Sequence, residues 1–196
     1  MITNHTVESL QAFEQGIANE FNAGNIRAPV HQAGGNEQQL IDIFQEVGPN
    51  DWICCQWRSH LHSLLRGVPP AELKVAIMAG KSITLCFPEY RIVSSAIAGG
   101  ICPIALGLAM GIKRDGGSEK VWCFIGDMTA AMGITAECVR YAAGFGLPVE
   151  WIVEGNGKSV MTNTDEVWGM GNNARVRRYE YVLPWPHAGA GKRINF

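Results

Sequence analysis

The sequence predicts an α/β fold, a parallel sheet with helices on both faces, and three observations carry that prediction. Two short apolar runs, residues 121–125 and 148–153, lead into Gly126-Asp127 and Glu154-Gly155-Asn156-Gly157, as strands buried on both sides do. Between them Ile134, Cys138, Tyr141 and Ala142 recur at helical spacing. Gly144, Gly146 and Pro148 then stop the helix before the second run begins. The result is a strand-helix-strand unit.

The remaining elements follow in chain order. Val7, Leu10, Phe13, Ile17 and Phe21 mark an amphipathic first helix. Leu40, Ile41, Ile43, Phe44 and Val47 mark a second that starts near Asn36, so residues 1–48 read as a helical N-terminal part. Residues 51–57 form a short β-like run. Leu61, Leu64 and Leu65 suggest a third helix, and residues 72–78 a fourth with Pro69-Pro70 at its first turn. Residues 92–112 are apolar but interrupted by Pro103, Gly99, Gly100, Gly107 and Gly111. They read as a helix buried on all sides in a larger assembly rather than a membrane span. Residues 159–196 read as a loop-rich tail, whose Trp168, Tyr179, Tyr181 and Trp185 require packing on this domain or on another subunit.

A chain of 196 residues with 47% hydrophobic and 17% charged residues suggests a single globular domain, 1–196, with a sizeable core. The net charge of −2 and the small cluster Arg175, Arg177 and Arg178 give no basic stripe for nucleic acid. The six cysteines form no Cys-x-x-Cys pair and no zinc-ligand spacing, so reduced, core-packed thiols are expected. The first residues lack a basic segment followed by an apolar one, which leads to the expectation of a cytoplasmic protein.

The chemistry concentrates at Asp127 and Asn156, which lie 29 residues apart. In a right-handed strand-helix-strand unit both strands end on the same edge of the sheet, where open α/β sheets bind ligands. A carboxylate and an amide carbonyl, with little other charge nearby, suit a hard divalent cation that reaches out to phosphates. Magnesium holding a diphosphate fits. Read alone, Asp127 would be only a helix N-cap after a strand.

Over most of residues 30–165 the motifs resemble the alpha subunit of thiamine-diphosphate-dependent 2-oxo acid dehydrogenases, in a short two-component form. Gly126-Asp127-Met128 and Asn156-Gly157-Lys158 look like that family's magnesium-diphosphate motif. The resemblance implies that Asp127, the Asn156 side chain and the Lys158 carbonyl hold magnesium. It places Gly126, Met128 and Thr129 beside the cofactor. Trp57-Arg58-Ser59-His60 is similar to the family's Tyr-Arg-x-His, so Trp57 and Arg58 are implied diphosphate contacts. The stretch 96–99 followed by Pro103 resembles the segment that touches the aminopyrimidine, through Ala98. His31 through Glu37 resembles a His-x-x-x-Gly-x-Glu motif, which makes His31 the leading catalytic candidate and His60 the second. Two positions depart from the pattern. Met128 replaces a glycine, tolerable where φ is negative, and Thr84 stands where the family has an active-site His.

In the resembling families a Glu on a pyrimidine-binding domain activates the cofactor. This chain has room for one sheet domain, so that Glu is expected on a beta partner, in a heterotetramer of two alpha and two beta chains. Glu89 and Glu137 are the in-chain alternatives. The function implied is decarboxylation of a small 2-oxo acid and transfer of the acyl or aldehyde unit. A split transketolase moving a two-carbon ketol unit and a non-catalytic regulatory subunit are the alternatives.

Overall fold

The structure is a computed structural model and describes residues 5–169 and 176–191. Its centre is a six-stranded sheet in the order β2-β3-β1-β4-β5-β8, formed by β1 (Trp52–Cys55), β2 (Cys86–Phe87), β3 (Ile92–Ser94), β4 (Val121–Gly126), β5 (Val149–Gly155) and β8 (Arg177–Glu180). All neighbouring pairs are parallel except β2 with β3. A two-stranded hairpin, β6 (Lys158–Ser159) with β7 (Thr162–Asn163), stands beside it. The mostly parallel α/β architecture is the one the sequence predicts.

Alternation along β4 divides the core into two layers. Trp122 and Phe124 face a cluster built with Leu10, Ile17, Leu40, Leu61 and Leu64 from α1 (Val7–Asn22), α2 (Glu37–Phe44) and α3 (His60–Arg66). Val121, Cys123 and Ile125 face a second cluster with Ile101, Ala105 and Ala109 of α5 (Ile101–Arg114) and Cys138 and Ala142 of α7 (Gly133–Gly144). Strands covered on both faces have no polar side to show, which is why they read as continuous apolar runs.

Local chemistry fixes the element ends. Thr6 and Ser9 form a capping box at the start of α1, and Gly67 closes α3 with a left-handed backbone (φ +104). Pro70 opens α4 (Pro70–Ala76), which widens into a π-helical turn, Ile77–Lys81, broken by Gly80. Asp51 anchors the entry to β1: its carboxylate accepts from the amides of Gly48 and Lys120 and from the Trp122 indole, at 2.8–2.9 Å.

Two stretches differ from expectation. Residues 92–112 are not one all-round buried helix. They are a strand, β3, a turn, and then α5, whose Ile104 is 43% exposed. A buried strand followed by a helix with a wide apolar face shows no change of period to read. The stretch that reads as loop-rich contains α8 (Thr164–Trp168) and β8. Its aromatics Tyr179 and Trp185 pack against the first core cluster of this same chain, while residues 170–175 and 192–196 lie outside the described ones. Among the described residues no helix is long and apolar enough to cross a membrane.

Candidate cofactor site

The ends of β1, β4 and β5 lie on one edge of the sheet and open into a cavity of about 510 Å³, within the usual range for a small-molecule site. After β1 come Gln56, Trp57 and Arg58; after β4, Asp127 through Thr129; after β5, Asn156 and Lys158. The segment that follows β8, including Tyr181, Trp185 and His187, forms the opposite wall.

Asp127 and Asn156 meet, as the strand-end argument requires. The Asn156 and Gly157 amides donate to Asp127 Oδ2 at 2.8 and 2.9 Å, while Asn156 Oδ1 accepts from the Lys158 amide at 2.9 Å. The Asp127 side chain is fully buried, and its other oxygen, Oδ1, is held at 2.6 Å by the Arg178 guanidinium from β8. Glu180 binds the same guanidinium at 2.5 Å. Burial works against the charge of Arg178, but the two carboxylates outweigh it and raise its pKa. Met128 is helical, in α6 (Asp127–Ala130), so the missing glycine imposes no strain. Val160, in the β6–β7 turn at the cavity rim, does carry a left-handed backbone (φ +62), a costly geometry for a β-branched residue.

Arg58 donates to the carbonyls of Gln32 at 2.9 Å and His187 at 2.7 Å. Among the described residues no carboxylate lies within ion-pair distance of it. A largely buried guanidinium that lines the cavity and has no carboxylate in direct contact is suited to an anionic ligand.

The other candidates fall at different depths. His31 lies behind the wall, its ring 5.1 Å from His187 and 6.0 Å from Trp57. Burial, then the charges of Arg58, His187 and His60, push its pKa down to about 3, so it is neutral near pH 7, and its buried Nδ1 has no hydrogen-bond partner. His60 is wholly buried and does not line the cavity. Glu14 Oε1 and Ser82 Oγ each lie 2.9 Å from one of its ring nitrogens. Ala98, beyond β3, and Thr84 also lie outside the cavity lining.

Four residues of the site carried no signal in sequence. Gln56 accepts from the Gly126 amide at 2.8 Å and bonds Thr129, tying β1 to β4. Glu154 faces the cavity and accepts from Tyr179 at 2.5 Å and Asn36 at 3.0 Å. Arg178 and His187 come from the polar stretch after β5. Five of the six cysteines are buried, and burial pushes Cys54 up to about 12, a core thiol rather than a nucleophile.

The family model for the dehydrogenase E1 component matches residues 5–178. The chain belongs to the dehydrogenase E1 component family. Among curated relatives of this E1 chain is the alpha subunit of acetoin:2,6-dichlorophenolindophenol oxidoreductase from Cupriavidus necator. It is 26% identical over 169 residues, covering 81% of this chain and 51% of the relative. The pyruvate dehydrogenase E1 component subunit alpha of Porphyra purpurea is 26% identical over 162 residues, covering 74% and 47%. That of Rickettsia felis is 28% identical over 166 residues, covering 79% and 50%. The E1 chain thus spans about half the length of the curated relatives it matches. The resemblance carried by the motifs is borne out at the level of the family.

Proposed function

We propose that this chain, acting as a single domain over residues 1–196, is the alpha subunit of a two-component thiamine-diphosphate-dependent enzyme. That enzyme decarboxylates a 2-oxo acid and passes on the acyl or aldehyde unit. The observation that carries the reading is Arg58, a cation with no carboxylate partner, facing a cavity whose floor is the Asp127–Asn156 turn. Family membership and the relatives' names support it; none of the relatives named above is a transketolase or a regulatory subunit.

The residues fit both groups the reading requires. Arg58 supplies forked donors for a diphosphate, and Trp57, Tyr181 and Trp185 supply apolar wall for the rings. Asp127, Asn156 and the Lys158 carbonyl form an all-oxygen set suited to magnesium. When bound, thiamine diphosphate supplies an electron sink for the carbonyl carbon of the substrate. The chain's own residues bind and orient it and place a neutral His31 imidazole against His187 of the wall. His31 is the proton-transfer residue that the motif resemblance implies, standing behind the His187 wall, and His60 holds the neighbouring segment through Ser82, which accepts from the His31 amide at 3.4 Å.

The activating Glu belongs to a beta partner. Glu89 and Glu137 are exposed and away from the cavity, and Glu154 is engaged by Tyr179 and Asn36. A heterotetramer of two alpha and two beta chains in the cytoplasm completes the proposal. Titrating thiamine diphosphate with magnesium into the chain and its partner, then offering pyruvate-type acids against ketose phosphates, tests it. Saturable binding and release of carbon dioxide from the acid are expected. Absence of cofactor binding, or turnover of ketose phosphates alone, overturns the reading.

A further inference from the structure

Asp127 is the only carboxylate in the proposed metal-ligand set, and each of its oxygens already has a partner. Oδ2 takes the two turn amides, and Oδ1 takes Arg178 at 2.6 Å. A carboxylate with a fully buried side chain is strongly unfavourable without a positive counterpart. That positive counterpart is supplied here by the Arg178 guanidinium beside Oδ1.

The contact is built into the fold. Arg178 pairs in register with Val153 on β5, and the Tyr181 amide continues the strand by donating to the Gly155 carbonyl at 2.7 Å. Glu180 steadies the guanidinium from the same strand, and its carboxylate occupies the space a side chain at Gly155 would need. Beyond Tyr181 the chain forms a cavity wall and is held by Arg58 through the His187 carbonyl. The segment is therefore fastened by the two groups that the proposed function assigns to magnesium and to diphosphate.

We propose that Arg178 is a built-in counter-ion for the Asp127 carboxylate, which a divalent cation must displace in order to bind, so that metal loading and the docking of β8 oppose each other. This rests on the reading of Asp127 and Asn156 as metal ligands. Linkage makes the antagonism reciprocal: the factor by which the Arg178 contact weakens metal binding is the factor by which bound metal weakens the contact.

Mn²⁺ titrated into the full chain, with free ion followed by electron paramagnetic resonance, tests the proposal without any assay of turnover. Arg178→Gln is expected to bind Mn²⁺ about tenfold more tightly than wild type, a coupling of ordinary size; Arg178→Lys is expected to lie between the two, and Asp127→Asn to lose the site. Equal or weaker binding by Arg178→Gln overturns the counter-ion role and leaves the metal reading standing. No Mn²⁺ binding by wild type or variant, while thiamine diphosphate still quenches tryptophan fluorescence, overturns both. Should Arg178→Gln fail to fold, hydrogen exchange on the wild type decides. Mg²⁺ alone is expected to speed amide exchange in residues 177–181, and unchanged or slower exchange overturns the proposal.

Discussion

Gly35 and the Val182 carbonyl are in direct contact: a Cβ built on Gly35 would lie 3.0 Å from the Val182 carbonyl carbon and would overlap its oxygen. Gly35 also has φ +83, where an L side chain is strained. Gly35→Ala must therefore push the wall after β8 outward. A loss of about 2 kcal/mol follows from strain plus lost contact, lowering Tm by about 4–8 °C in a chain of this size. Differential scanning calorimetry checks it, and an unchanged Tm would show that the wall yields freely.

Arg58 makes two neutral hydrogen bonds to carbonyls, and among the described residues no carboxylate lies within ion-pair distance of it. Arg58→Lys keeps the charge and loses the fork, so affinity for thiamine diphosphate is expected to fall about tenfold, and for Arg58→Ala about a hundredfold. Quenching of the cavity tryptophans Trp57 and Trp185 reads both values. Wild-type affinity in Arg58→Ala would remove this residue from the diphosphate site.

His60 joins Glu14 and Ser82 across the core. Replacing it by Ala leaves both partners buried and unmatched, at a cost of about 2–4 kcal/mol. The urea midpoint should drop accordingly. A variant such as His60→Asn with full stability and no turnover would instead assign His60 a chemical role at the cofactor.

His31 governs an acid-side pH dependence. Its pKa in the folded state is about 3, below the ordinary 6.5, so between those values the unfolded chain binds the extra proton and stability falls as the pH is lowered. Above pH 6.5 both states are neutral there and His31 contributes no slope. In His31→Asn the decline of the urea midpoint between pH 6 and 4, roughly the interval between the two values, should be shallower than in wild type. An unaltered slope would mean that other groups set the acid limb.

What the sequence makes legible depends on burial and period. β4, α7 and β5 stand where Val121, Cys138 and Trp151 suggest, because doubly covered strands and an amphipathic helix leave strong patterns. Asp127 and Asn156 converge because parallel topology dictates it. Arg178 escapes notice because Arg177-Arg178-Tyr179-Glu180 has no apolar alternation; β8 is held by side-chain contacts such as Arg177 with Glu46 at 2.9 Å that no local rule encodes. The depth of His60 is hidden for a related reason. Its neighbours Leu61, His62 and Ser63 are all buried as well, so α3 has no polar side against which to read an inward face.

The two margins of the sheet bear on how a partner chain can attach. Among the described residues one margin is β2, two residues long and antiparallel to its neighbour; the other is β8, four residues of which three are charged, with Arg177 held by Glu46 and Arg178 by Asp127. Short margins with committed charges resist the addition of a foreign strand. Among the described residues these margins thus offer little to a foreign strand, whereas the helical layers leave Ile104, Tyr141 and Phe145 exposed.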